Sequence, residues 1–326
     1  SLHTETDFFN IQGKAAAHVN VHTSKVLVDG TTWVVQPGDI VYHAKHLTID
    51  HFAVTHGNQH IIIAGLATPN PKDSVVAELK NVDIAYILNL VNFHAVEFSG
   101  KASGKAYIAS AFNKPSASAR LQIDDFRFED GRMGTLYADS RWNEKEGQID
   151  IDAIAKDTVL NRMGERYVPL ETSIQGYVSP RKNNIELNIK ANGTRIEFLK
   201  SFCGSFIDRV DAFADGNVQV AGPLDKINLT GELIANGSLH LSALNTSYML
   251  KHAKVRAIPN EIRFLNDTIY DRDGHQGILS GALYHQHLTK MSYDINVDAR
   301  NLLSYDTHAF GDNTFYGTAY ATGKCN

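Results

Sequence analysis

Apolar and polar residues alternate with a period of two through much of this chain. In EGQIDIDAIA, for example, Ile149, Ile151 and Ala153 are separated by acidic side chains. Successive side chains of a β-strand point to opposite faces, so such a segment predicts a strand with one apolar and one wet face. The same alternation recurs in NNIELNIKA, GNVQVAG, DKINLTGEL and MSYDINVDA. The pattern predicts an all-β, mainly antiparallel and elongated fold.

Helical periodicity is confined to two short segments, VDIAYILNLV (82–91) and RIEFLKSFCGSFIDRV (195–210). Each has apolar pairs at i, i+3 and i+4, which predicts one or two short helices lying across strand ends. A nucleotide-binding α/β fold needs strands that alternate with helices of about 10 to 15 residues, and this pattern is absent.

The alternation slips by one residue in two strands. In LQIDDFRFEDG the apolar positions change from Ile123 to Phe126, and in LTIDHFAVTHG they change from Ile49 to Phe52. One extra residue keeps both apolar positions on the same face, as in a β-bulge or a tight bend. The sequence therefore predicts irregularities at Asp125 and His51.

Internal repeats divide the chain into modules. The stretch that starts at Ile61 resembles the stretch that starts at Glu171, with Gly65 matching Gly176 at a separation of 111 residues, and a third copy places Gly281 in that position. The predicted division is a partial N-terminal β module (1–60), repeat modules 1 (61–170) and 2 (171–275), and the start of a truncated module 3 (276–326). In the last segment, Gly317, Ala319, Ala321 and Gly323 align by residue pattern with Gly216, Val218, Val220 and Gly222. One-faced strands bury their apolar sides by stacking consecutive modules along one sheet.

Composition excludes several classes of function. The net charge of -5 and the scattered Lys and Arg residues give no footprint for nucleic acid or for an acidic membrane surface. The longest apolar runs, such as IIIAGLA, are about a third of the roughly 20 residues that a membrane-spanning helix needs. Two cysteines, Cys203 and Cys325, are too few for a disulfide framework.

No constellation of chemistry stands out, so we predict no catalytic, cofactor-binding or metal site and no enzymatic activity. The fifteen histidines lack zinc spacing, and the pair His285 and His287 offers half a site at most. NDTIYDRDG lacks the ligand and glycine positions of a calcium loop. Asp124 and Glu129, in DDFRFEDG, are candidate carboxylates for glycoside hydrolysis, although EDG is also good turn chemistry.

The third repeat carries a family resemblance. A Tyr-bearing strand leads to IRF, an Asp-rich segment and LSGALYH, and then to NLL, a polar spacer and FYGTAYATG. This resembles the repeat of the TamB (translocation and assembly module) family in the AsmA-like superfamily, in its Bacteroidetes version. The resemblance covers roughly residues 28 to 326, with FYGTAYATG and SGALYH as its most specific parts, and implies an internal fragment of such a protein.

The resemblance implies a β-sheet folded over an apolar groove, comparable to a taco, which carries phospholipid between the inner and outer membranes and supports outer-membrane biogenesis. It implies a periplasmic location in a protein anchored in the inner membrane. Phospholipid acyl chains, a BamA-like barrel and nascent outer-membrane proteins are the implied partners. The predicted groove lining is the set of apolar strand residues Ile149, Ile151, Ile185, Leu187, Ile189, Val218, Val220, Ile227, Leu229, Leu233, Ile295 and Val297.

Two alternatives stay open. The chain could instead be a scaffold or chaperone whose sheet edges pair with strands of outer-membrane proteins by β-augmentation. A more remote alternative is a β-helix enzyme acting on carbohydrate, with Asp124 and Glu129 as its carboxylates.

Overall fold

A computed structural model describes the backbone of residues 2–28, 30–90, 97–160, 167–203, 206–287, 289–308 and 316–326. In the part of the chain that the structure describes, 77% of the residues are strand and 3% helix, in 21 antiparallel strands and two short helices. The prediction of an all-β fold is therefore confirmed. None of the helices among the described residues has the length and apolar character needed to cross a bilayer.

The first ten elements are β1 (Thr4–Ile11), β2 (Lys14–Val21), β3 (Ser24–Val28), β4 (Thr31–Val35), β5 (Gly38–His43), β6 (His46–His56), β7 (Gln59–Ala67), β8 (Ser74–Asp83), α1 (Ile84–Leu90) and β9 (Phe98–Ala109). The next seven are β10 (Ser116–Phe128), β11 (Gly131–Asn143), β12 (Gln148–Leu160), β13 (Tyr167–Ser179), β14 (Asn184–Arg195), α2 (Leu199–Cys203) and β15 (Ile207–Pro223). The last six are β16 (Asn228–Leu241), β17 (Thr246–Ile258), β18 (Glu261–Tyr270), β19 (Gln276–Gln286), β20 (Thr289–Thr307) and β21 (Gly317–Cys325).

The chain forms two compact units. Unit 1 comprises Ser1–Phe126, Thr135–Ala153 and Tyr177–Lys182, and unit 2 comprises Arg127–Gly134, Ile154–Gly176 and Asn183–Asn326. In unit 1, β1 pairs with β2, β2 with β5, and β5 with β6; from there β6, β7, β8 and β9 pair in chain order. In unit 2, the strands from β14 to β21 pair in chain order, each antiparallel to the next.

Both predicted irregularities are present. The pairing of β6 with β7 advances three residues, from Ile49 to Phe52, while the partner advances two, so β6 carries one extra residue beside His51. Asp125 adopts a left-handed φ of 51°, and Ile123 and Phe126 on either side of it are both buried. The extra residue is what keeps these apolar side chains on the buried face.

One irregularity recurs at repeat spacing. The pairing shifts between Leu79 and Val82, between Ala191 and Thr194, and between Ala299 and Leu302, which are 112 and then 108 residues apart. Leu79, Ala191 and Ala299 pair with Gly104, Gly216 and Gly323, respectively.

This register corrects the pattern-based alignment of the last strand. Gly323, rather than Gly317, occupies the position of Gly216, since Gly323 pairs with Ala299 and Gly317 pairs with Thr307. Cross-strand hydrogen bonds and bulges fix a strand's register, whereas evenly spaced small residues are compatible with several registers.

The two helices lie where short helices were expected, although α2 spans only five residues and β15 already begins at Ile207. In unit 1, the ring of Trp33 packs against the ring of His56 and against that of Tyr86 in α1. The ring centroids are 5.7 and 5.5 Å apart, respectively. In unit 2, Phe198 and Phe202 contact Phe128 beside α2. Each helix therefore adds aromatic packing within its own unit.

Candidate functional site

Apolar side chains in unit 2 form rows that run from strand to strand. Residues directly opposite each other in an antiparallel pair share a face, so the register traces each row. One row joins Leu187 to Val220 and Val220 to Leu229. A longer row crosses the seven strands from β14 to β20 through Ala191, Gly216, Leu233, Val255, Phe264, Gly281 and Ile295.

Unit 1 contains rows of the same kind. One crosses six strands, β2 and β5 to β9, through Val19, Ile40, Ile49, Gly65, Val75 and Ile108. Its side chains are half-buried, except that of Ile108, which is exposed. Another row runs through Phe52, Ile63, Ala77 and Ala106. Because apolar residues alternate along each strand and the register places them opposite one another, they form continuous apolar rows that run perpendicular to the strands.

The structure places the twelve predicted lining residues at two levels of burial. Ile185 and Ile227 are buried, and the other ten are half-buried. The register brings Leu187, Val220 and Leu229 together, and Ile189 pairs with Val218. Ile295 lies opposite Gly281, and Val297 opposite Leu279. That these residues contact lipid stays a prediction.

The same face of unit 2 is tightly packed near α2. There, small residues pair across neighbouring strands, as Ala214 does with Ala235 and Ala235 with Ala253. They belong to a buried cluster with Ile196, Val210, Ala212, Tyr248, Leu250, Ile269, Ala299 and Leu302. The apolar face of unit 2 is therefore covered by its own packed side chains near α2, whereas the half-buried residues of the rows keep part of their apolar surface accessible.

Gly176 and its repeat equivalents mark places where backbones approach closely. A Cβ on Gly65, Gly176 or Gly281 would lie 2.3, 2.0 or 2.1 Å from a carbonyl oxygen of the next strand, that of Ser74, Glu186 or Asp294, respectively. Their φ angles of 126°, 149° and 112° also lie in the region that favours glycine. These glycines explain why the repeat is recognisable in the sequence.

Asp271 orders the DRDGH loop that joins β18 to β19. Oδ1 accepts hydrogen bonds from the N–H groups of Asp273 and His275, each at 2.9 Å. Oδ2 accepts one from the N–H of Leu303 at 2.8 Å and one from Nδ1 of His275 at 3.0 Å. Burial acts to raise the pKa of Asp271, but these hydrogen bonds, first that from Leu303, outweigh it and lower the pKa.

Asp271, Asp273 and His275 are also close enough together to present three ligand atoms to a metal ion. However, both oxygens of Asp271 already accept two hydrogen bonds each, and His275 directs Nδ1 toward this carboxylate rather than outward. On the Asp273 side, Oδ2 accepts a hydrogen bond from the hydroxyl of Tyr320 at 2.7 Å. The arrangement is that of a loop-ordering network, and the sequence motif gave no sign of it beyond being Asp-rich.

A second polar cluster in unit 2 surrounds the buried carboxylate of Asp157. Arg132 donates to both of its oxygens at 2.9 and 3.0 Å, and Arg195 donates to Oδ2 at 3.2 Å. Burial acts to raise the pKa of Asp157, but the hydrogen bond from Arg132 and the other polar contacts lower it. The adjoining cavity measures only about 10 Å³, which is room for a single water.

The histidine pair and the acidic pair differ in exposure. His285 is buried, and its pKa is lowered by burial and then by the neighbouring His287. Asp124 is exposed and accepts a hydrogen bond from Gln122 at 2.8 Å, and Glu129 has a left-handed φ of 50° between β10 and β11. Glycoside hydrolysis by these carboxylates stays a prediction.

In comparisons with known proteins, no protein-family model, no curated protein and no solved structure matches this chain.

Proposed function

We propose that this chain is a non-enzymatic segment of a TamB- or AsmA-like protein, and that its half-buried apolar rows carry phospholipid acyl chains across the periplasm. The observation that carries the proposal is the continuity of these rows, one of which crosses seven strands. Seven strands about 4.8 Å apart extend about 29 Å, roughly twice the hydrocarbon depth of one leaflet.

The energetic requirement is simple. A chain of about 16 carbons, at about 0.8 kcal/mol per methylene, loses on the order of 13 kcal/mol if it enters water bare. A carrier therefore needs apolar contact along its whole length, and no strong polar anchor at any one point. The rows meet the first need, because half-buried residues such as Val220, Leu229 and Ile295 retain accessible apolar surface.

Site-specific photo-crosslinking tests the proposal. Photo-reactive residues at Val220 and Ile295, in the native full-length protein in cells, should capture phospholipid. A residue at Lys226, which is exposed in the connection between β15 and β16, is the matched control and should capture little. Equal capture at all three positions, or capture at Lys226 alone, would sink the proposal.

A second function is favoured by one observation. All eight residues of β1 are exposed, including Phe8, although β1 forms a ladder with β2. An exposed strand is a template for β-augmentation, as a scaffold for outer-membrane protein assembly requires. Crosslinkers in β1 would then capture nascent barrel proteins, and phospholipid capture at Val220 would be absent.

A further inference from the structure

Unit 1 has a large concavity whose lining combines charged, polar and aromatic side chains with small and apolar ones. Its volume is about 990 Å³, and residues of β9, β10, β11 and β12 form its wall. This volume lies at the upper end of the range for small-molecule sites, which runs from about 300 to 1,000 Å³.

The charged and tyrosine side chains of the concavity alternate along these strands with small and apolar residues, of which Gly104 and Ile151 also contribute to the wall. Glu78 pairs with Lys105 across β8 and β9, whereas their neighbours Leu79 and Gly104 belong to the apolar face. Tyr107 lies two residues beyond Lys105 and so shares its face. Tyr107 therefore joins Lys105 in the wall of the concavity.

Two tyrosines give this wall its aromatic surface. Tyr107 in β9 and Tyr137 in β11 are 39% and 44% exposed, which is unusual for large rings on the polar face of a sheet. A tyrosine ring offers a flat apolar surface with a polar tip at little cost in conformational entropy. Such a ring stacks well on ligands that combine C–H faces with hydroxyl groups.

The charged groups of the wall are balanced. Lys105, Arg120 and Arg141 contribute three positive charges, and Asp139, Asp150 and Asp152 contribute three negative ones. Arg120 donates to Asp139 at 2.7 Å, so this cation already has a carboxylate partner. The wall therefore offers many donors and acceptors without selecting for an anion or a cation.

We propose that this concavity binds a neutral oligosaccharide, whose sugar rings stack on Tyr107 and Tyr137 while its hydroxyl groups bond to the paired charges between them. A phosphorylated ligand is disfavoured because the positive charges are matched by carboxylates. An acyl chain is disfavoured because the wall carries six charged side chains. Sugar binding here depends on Tyr107, Tyr137 and the charged side chains rather than on the apolar rows, so it stands independently of the acyl-chain proposal.

Saturation-transfer NMR on the full chain tests the site, with maltohexaose, cellohexaose and chitohexaose as the oligosaccharides. At least one of them should bind, with a dissociation constant on the order of 1 mM. Y107A and Y137A should each weaken binding about tenfold or more, which corresponds to about 1.4 kcal/mol. Y107F and Y137F should retain most of the affinity, because they keep the ring.

The control is Y284A, which removes an exposed tyrosine of unit 2 and should leave the affinity unchanged. Folding of each variant is checked by its thermal unfolding curve. The proposal is wrong if none of the three oligosaccharides gives a signal at about 10 mM. It is equally wrong if the folded Y107A and Y137A variants bind like the parent protein, or if inorganic phosphate or palmitate competes for the bound sugar.

Discussion

The backbone N–H of Asn81 donates a hydrogen bond to Oγ of Ser103 at 3.0 Å, across the bulge that separates Leu79 from Val82. Asn81 has a left-handed φ of 53°, so its N–H leaves the regular ladder and needs another acceptor. The acceptor residue immediately precedes a glycine of the repeat. The same kind of hydrogen bond recurs twice in unit 2. The N–H of Gly193 donates to Oδ1 of Asp215 at 2.7 Å, and the N–H of Asn301 donates to Oγ1 of Thr322 at 2.9 Å.

Removing one of these acceptors should destabilise the sheet modestly. We expect Asp215→Ala to lower the free energy of unfolding by about 1 kcal/mol, because the N–H of Gly193 loses its partner. Asp215→Asn keeps an acceptor oxygen and should cost less. Urea denaturation measures both, with the exposed Asp211→Ala on the same strand face as the control. If Asp215→Ala and Asp211→Ala unfold alike, the bulge does not depend on this side chain.

Repeat glycines should tolerate substitution according to the space around them. Gly176→Ala should cost about 3 kcal/mol or more, because its Cβ would lie 2.0 Å from the carbonyl oxygen of Glu186 at a φ of 149°. Gly57→Ala is the matched control. Gly57 has open space and a φ of 56°, so only about 1 kcal/mol is expected there. Thermal unfolding compares the two, and equal losses would contradict the close approach at Gly176.

Asp271 should make stability depend on acidic pH. Its pKa is lower in the folded state than in the unfolded chain, so its ionised form stabilises the fold above pH about 4. This contribution should be lost as the pH falls through the folded-state pKa. Of the titratable groups near this carboxylate, His275 contacts it through Nδ1, and Tyr248, whose hydroxyl donates to the carbonyl of Leu303, interacts with it electrostatically.

Asp271→Asn tests this pH dependence. At pH 7 the variant should lose about 2 to 3 kcal/mol, since an amide cannot accept all four hydrogen bonds. Its unfolding free energy should also fall less steeply between about pH 5 and pH 3, a window that extends roughly one pH unit to either side of the unfolded-state pKa. An unchanged slope would mean that other carboxylates dominate acid unfolding. Asp124→Asn, an exposed substitution, is the control.

A charge placed in the apolar rows should reduce lipid binding more than stability. Val220→Asp interrupts the row between Leu187 and Leu229, yet Val220 is half-buried, so a loss of stability of about 1 kcal/mol is expected. Binding of a fluorescent phospholipid should fall about tenfold or more. Asn217→Asp adds the same charge to the opposite face and should leave binding intact. If both substitutions act alike, the rows are not where lipid binds.

Local pattern was sufficient for the strands and their irregularities. Period-2 alternation identified the apolar face of strands such as Asn184–Arg195, and the slips in it located the bulges beside His51 and Asp125. Both signals arise from side-chain geometry within a few residues. The match of Gly65 to Gly176 was likewise readable, because close backbone approach leaves no alternative to glycine.

The pairing register between strands could not be predicted from such local patterns. The alignment of the last strand by small residues chose Gly317, whereas the pairing of Ala299 with Gly323 places Gly323 in the repeat position. The Asp271 and Asp157 networks and the tyrosine-lined concavity also join residues that are distant in sequence.

The sequence by itself determined that this chain forms one-faced strands, where they bulge, and which positions must be glycine, because each of these follows from sterics within one strand or from a single crowded site. Only the tertiary structure decided which strand residues stand opposite one another. That choice turns separate apolar faces into rows of six or seven strands. It also decided where those rows are filled by packed side chains and where they remain accessible. The reason is that a strand's alternation repeats every two residues, so it is compatible with many registers until cross-strand hydrogen bonds and bulge contacts select one.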